Sequence, residues 1–128
     1  MPSDSVSIIN VFLEISGKAR ISCQLKRHLS PRTVGLIARS LPIRDNMHRM
    51  SKSVVYIKTN IDSGMERKKT DFKSGDIAYF PTGGSICFFL NDVLGVQPMT
   101  PIGKLLSNID SLNDLKTGDV LKLYSETV

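Results

Sequence analysis

Five consecutive residues, Ile86-Cys87-Phe88-Phe89-Leu90, are apolar on both faces of any strand they form. Such a strand must be buried on both sides, which calls for a sheet wall with a packed interior and a helix or loop across its outside. The residues before it, Gly75-Asp76-Ile77-Ala78-Tyr79-Phe80 and then Pro81-Thr82-Gly83-Gly84, read as a second apolar strand and a hairpin turn. Gly83-Gly84 has neither a GxxxxGK[ST] pattern nor a helix after it, so a turn is expected there rather than a phosphate loop.

The rest of the chain is organised in the same way. Ile9, Val11, Leu13 and Ile15 fall on one face of a period-2 pattern, and after Ser16-Gly17-Lys18 so do Ala19, Ile21, Cys23 and Leu25, which predicts a hairpin whose second strand has Arg20, Ser22, Gln24 and Lys26 on its wet face. Ser30-Pro31 is an N-cap followed by proline at the first helical position, and a helix is expected over Pro31–Ser40, burying Val34, Ile37, Ala38 and Leu41. The Leu41-Pro42 step ends it. Residues 42 to 51 read as an irregular polar connection, Ser53 to Thr59 as a strand, and Asp62 to Thr70 as a charged mobile loop that could contact an anionic ligand. Asn91 to Thr100 reads as a variable loop and Pro101 to Leu105 as a short strand. Ser107 or Asn108 then caps a brief helix carrying Ile109, Leu112 and Leu115, and Asp119 to Ser125 closes the chain as a strand.

A chain of 128 residues with 41% apolar and 23% charged residues fits one ordinary globular domain, spanning 1–128. Residues 1–7 have no basic n-region and Asn10 and Glu14 break the apolar pattern, so no leader is expected and a cytoplasmic location is. The longest apolar run is five residues against the roughly 20 that span a bilayer, so no membrane partner is expected. Cys23 and Cys87 stand in no CxxC or Cys/His spacing, which points to reduced, packed thiols and to no metal or cofactor. The net charge of +5 is uneven: residues 1 to 75 carry fourteen Lys/Arg against six Asp/Glu, and 76 to 128 carry three against six. A basic half of this kind suits a polyanionic partner, although no RNP, zinc-finger, KH or helix-turn-helix pattern accompanies it. GxSxG and HExxH are both absent, and His28 and His48 have no evident catalytic partner in the sequence.

The order of hairpin, helix ending in Leu-Pro, strand with Tyr56, Gly75-Asp76-Ile77-Ala78-Tyr79-Phe80-Pro81-x-Gly83, the apolar Cys87-Phe88-Phe89 strand, Pro101-Ile102-Gly103-Lys104-Leu105 and Asp114-Leu115-Lys116-Thr117-Gly118-Asp119 resembles the small prokaryotic cyclophilin-like proteins. The resemblance spans nearly the whole chain. It implies a mainly β, closed barrel of about eight strands with two short helices, in a family of mostly unassigned function. The family's Trp-Gly-Glu-like step is Met50-Ser51-Lys52-Ser53 in this chain, and its tryptophan near the turn is Phe80.

True cyclophilins lower the prolyl isomerisation barrier with an arginine set beside apolar and aromatic side chains, an electrostatic device that needs no covalent chemistry. This chain lacks their Phe-x-x-x-Gln-Gly-Gly segment, leaving Arg44 and Arg49, near Met47, as substitutes, with Tyr56, Phe80, Phe88 and Met99 as possible walls. These seven residues form the candidate ligand pocket. The alternative is that the arginines are solvated and the aromatic residues are barrel core. The leading expectation is an uncharacterised binding module for a peptide or small ligand at the barrel mouth, without strong catalysis. A peptidyl-prolyl isomerase and an accessory nucleic-acid binder are the alternatives.

Overall fold

The structure, a computed structural model, describes residues 7–125. Nine strands follow in the order β1 (Ile8–Ile15), β2 (Ala19–Lys26), β3 (Ile43–Asn46), β4 (His48–Ser51), β5 (Val54–Lys58), β6 (Asp76–Phe80), β7 (Ser85–Phe89), β8 (Thr100–Leu105) and β9 (Val120–Ser125). One α-helix, α1 (Pro31–Ser40), and a 3₁₀ helix, Ile109–Asp114, complete the described chain. All nine strands belong to one antiparallel sheet in the spatial order β3-β9-β1-β2-β8-β6-β7-β5-β4. The two ends of that order, β3 and β4, are neighbours in sequence, so the sheet curls into a nearly closed barrel whose ends meet around Met47.

Side-chain alternation sorts the strands as the period-2 pattern requires. Val11, Leu13 and Ile15 of β1 and Ile21, Cys23 and Leu25 of β2 face the interior cluster, opposite one another as Val11↔Cys23 and Leu13↔Ile21. Helix α1 adds Val34 and Ile37 to this core, while Ala38 and Leu41 are only half-buried. Strand β7 is buried along its whole length, as its composition demands: Ile86 and Phe88 point inward, whereas Cys87 and Phe89 point outward into a second cluster with Val54, Phe72, Ala78 and Met99. Its outer cover is a pair of loop segments rather than a helix. Residues 69–72 pair with 93–99 through Lys69↔Met99 and Phe72↔Val93, and Phe72 stacks on Phe89 at 4.5 Å.

Two glycines are dictated by close approach. Gly84, in the β6–β7 turn, has φ +64, and a Cβ there would sit 2.7 Å from the Ile61 carbonyl oxygen. Gly103 of β8 lies against β2 so closely that a Cβ would collide with the Gln24 carbonyl.

Three local expectations are corrected. Residues 42–51 are not an irregular connection: β3 pairs with β9 and β4 with β5, and their polar composition is what an edge strand tolerates, since edges face water. This raises the strand count from about eight to nine. Ser30 is the N-cap residue of α1, its carbonyl accepting the Val34 N–H at 2.9 Å, but its side chain does not cap the helix and its hydroxyl donates to the Pro101 carbonyl at 2.8 Å. The first-turn N–H groups of Arg32 and Thr33 instead donate to the Glu66 carboxylate at 3.0 and 2.7 Å. Glu66 thus anchors the 62–70 loop, which is tied further by Arg67 donating to the Leu29 carbonyl and by Thr100 Oγ1 donating to the Arg67 carbonyl. Free hanging of that loop was the natural reading of its charge, and only its distant partners show otherwise.

Candidate functional site

The barrel interior is filled by its own side chains, including Met47 and Phe88. Ligand space therefore lies outside the wall. The residues singled out from the sequence fall into separate neighbourhoods. Tyr56, Phe80 and Met99 come together in and around the outer cluster, and Tyr56 also stacks with His48 at 5.1 Å. Arg49 reaches the Leu115 carbonyl at 3.3 Å. Arg44 lines a groove of about 740 Å³ between α1, β3 and the end of β5. That groove holds Lys58, Asp45 and Asp62 beside Leu36, Pro42, Ile43 and Ile61 but no aromatic or methionine side chain, so the aromatic and methionine wall expected beside a guanidinium is not assembled there.

A second opening, of about 700 Å³, lies between β6, β8, the Leu29 turn, the 67–73 segment and the Asp92–Leu94 loop, and none of the seven residues lines it. Its volume is within the usual range for small-ligand sites. Apolar lining comes from Leu29, Phe72, Leu94 and Pro101, of which Phe72 and Pro101 are buried, Leu29 is half-buried and Leu94 is 80% exposed. Five cations surround it: Arg67, Lys68, Lys69, Lys73 and Lys104.

The three carboxylates of this cleft are already engaged. Asp71 accepts from Gly95 N–H at 3.0 Å, Asp92 from Ser74 N–H at 2.8 Å, and Asp76 from Lys73 N–H at 2.8 Å, with the Lys104 ammonium 3.8 Å from the other Asp76 oxygen. Arg67 is held by Leu29, and Lys69 lies 5.4 Å from the Phe72 ring centroid. The Lys68 and Lys73 ammonium groups make no hydrogen bond or ion pair among the described residues. The Arg67-Lys68-Lys69 run was visible as a candidate anion contact. Leu94, Lys73 and Lys104 carried no such signal, because only the packing of distant loops brings them to one opening.

The anchors of the site have their own electrostatics. Burial alone would raise the Glu66 carboxyl, and that is the largest single effect on it. The N–H groups of Thr33 and Arg32, the Thr33 hydroxyl and the Arg32 charge together outweigh burial and hold it below the usual glutamate range. Asp45 behaves alike: burial raises it, but the Lys58 and Asn46 N–H groups and His48 lower it further, to below the ordinary aspartate value. Neither cysteine is poised for chemistry, since burial pushes both thiols up to about 12.

Among the described residues no helix is long and apolar enough to cross a membrane. A search of the curated proteins finds no significant match. Among solved structures, the hypothetical protein AF2241 from Archaeoglobus fulgidus superposes with a TM-score of 0.78 at 21% identity, over 93% of this chain and 95% of that one. McbB in complex with tryptophan gives the same TM-score at 13% identity, over 92% of this chain and 45% of that one. At these identities the likeness is one of fold. The family model described as cyclophilin-like matches residues 9–123, nearly the whole barrel from β1 to β9, and the chain belongs to the cyclophilin-like family.

Proposed function

We propose that this protein is a binding module whose ligand is a small carboxylate-bearing molecule, or a short acidic peptide, with an apolar portion. The observation that carries this reading is the pair of unpartnered ammonium groups, Lys68 and Lys73, in the same opening as the exposed Leu94 and the half-buried Leu29, in a cleft whose own carboxylates already accept backbone N–H groups. An anion entering there meets free cations without having to displace an internal partner. An apolar group entering with it covers Leu94. McbB, which shares the fold, was solved with tryptophan, itself a carboxylate joined to an apolar ring. No histidine or cysteine lines the cleft and its three carboxylates each accept a backbone N–H, an arrangement that supports capture better than catalysis.

Exposed ion pairs contribute about 0.2–1 kcal/mol each, so reversing two charges should weaken an anionic ligand about 10-fold. The probe is a fluorescein-labelled Glu-Leu-Glu-Leu-Glu peptide followed by anisotropy. Saturable binding to the wild type, at least 10-fold weaker binding to Lys68→Glu/Lys73→Glu, and amide shifts centred on Phe72, Leu94 and Gly103 are expected. Equal binding by the double variant, or no binding by the wild type, overturns the reading.

A further inference from the structure

The outer face of the opposite wall carries a different chemistry. Strands β3, β9, β1, β2 and β8 lie side by side there, and their outward residues include Arg44, Lys122, Arg20, Lys26 and Lys104 with a single carboxylate, Glu14. Register sets them in rows. Arg44, Lys122, Glu14 and Arg20 are successive cross-strand partners from β3 to β2, and the next row holds Tyr124, Phe12 and Ser22. The two rings lie 5.7 Å apart, the Arg20 guanidinium lies 4.3 Å from the Phe12 centroid, and the Lys122 ammonium lies 5.3 Å from that of Tyr124. Both helices turn their apolar residues inward, through Val34 and Ile37 of α1 and Leu112 of the 3₁₀ helix, so neither is packed over this face by those residues.

We propose that this face is a platform for single-stranded nucleic acid. An aromatic pair with a guanidinium over one ring and an ammonium over the other gives a row of planar and cationic groups on which bases stack, the guanidinium plane included, and flanking cations neutralise phosphates. Charge complementarity points the same way: Arg44, Lys122, Arg20 and Lys26 face a single carboxylate, Glu14, while Lys104 at the β8 edge lies 3.8 Å from Asp76. An acidic protein would satisfy the cations but leave the rings without a planar partner. Four inter-strand steps from β3 to β8 span roughly 19 Å, room for a few nucleotides. The sheet order brings cations from both parts of the sequence onto this face, setting Lys122 of the later, acidic part beside Arg44 of the earlier, basic one.

The probe is fluorescein-labelled dT12, followed by anisotropy on the full chain. With about four phosphates neutralised, raising salt from 50 to 200 mM should weaken binding about 50-fold. Phe12→Leu/Tyr124→Leu should weaken it at least 10-fold, and Lys122→Gln, which removes no core contact, should weaken it and flatten the salt dependence. Circular dichroism confirms that each variant is folded, and Lys68→Gln/Lys73→Gln, which alters the cleft and not this face, should weaken dT12 binding less than Lys122→Gln does. No binding at 50 mM salt overturns the proposal. So does aromatic-independent binding, equal affinity for a polyglutamate of matched charge, or binding to anionic vesicles alone.

Discussion

Cys23 and Cys87 show what burial does to a reactive side chain. Each sits in a strand with less than a few per cent of its surface exposed, and desolvation of the thiolate lifts its pKa to about 12. Both should react with a disulfide reagent at pH 8 at least 100-fold more slowly in the folded protein than in urea, and rapid labelling of native Cys87 would contradict its place in β7. The same shift fixes a sign. The unfolded chain ionises its thiols above about pH 9 while the fold keeps them protonated, so the unfolded state holds fewer protons and stability falls as pH rises from about 9 toward 12. Urea midpoints should drop between pH 8 and 10, and drop less in Cys23→Ala/Cys87→Ala. Glu66 works in the opposite direction. Its lowered carboxyl contributes stability that is present above the ordinary glutamate value and lost as pH falls through the folded one. Glu66→Ala should cost about 1 kcal/mol at pH 7, in the range of a lost helix cap, and progressively less as pH falls below the ordinary glutamate value.

At the scale of elements, edges and anchors matter more than the interior strands. Glu66 links the 62–70 loop to α1 through three hydrogen bonds, to Arg32 N–H, Thr33 N–H and Thr33 Oγ1. Removing it should free the Arg67–Lys69 stretch, with tryptic cleavage there accelerating at least fivefold over the wild type; an unchanged rate would mean that Lys69↔Met99 pairing holds the loop alone. Gly103 tests strand packing. A methyl group at this position meets the β2 backbone at Gln24, which has no flexible end to move aside, so Gly103→Ala should destabilise by about 2 kcal/mol or more in urea unfolding. Since Gly103 lies in the cleft as well, the same variant should disturb peptide capture.

Over the whole molecule, the barrel depends on how its first and last strands in the sheet order meet. Asp45 of β3 accepts the Lys58 N–H of β5 at 2.9 Å and lies 3.0 Å from His48 Nε2 of β4, so one carboxylate spans the seam. Met47 N–H donates to the Asp119 carbonyl at 2.8 Å on the same side. Asp45→Ala should lower the urea midpoint, by the equivalent of about 1–2 kcal/mol, without changing the mainly β circular dichroism spectrum. Loss of the spectrum itself would show that the seam is required for the sheet to form and not only for it to close.

The alternation of Ile9 to Leu25, the two-faced apolar run of β7 and the proline-led helix each state a local rule that any fold must obey, and all three appear where the pattern put them. Period and burial are local properties, and a sequence carries them directly. Residues 42–51 carry no such signal. Their polar side chains are compatible with loop or edge strand, and the presence of β9 and β5 as partners, 60 or more residues away for one of them, decides between the two. The same holds for the site. Lys68 could be seen as a free charge from the sequence, but Leu94, Lys73 and Lys104 become its neighbours only when the 67–73 and 92–94 segments fold over β6 and β8. The partner of α1's N-terminus, Glu66, lies 33 residues from Thr33, and no pattern within the helix could name it. Local periodicity settled the elements, and long-range pairing, which depends on which polar groups find partners across the barrel, settled its edges, its anchors and the composition of its cleft.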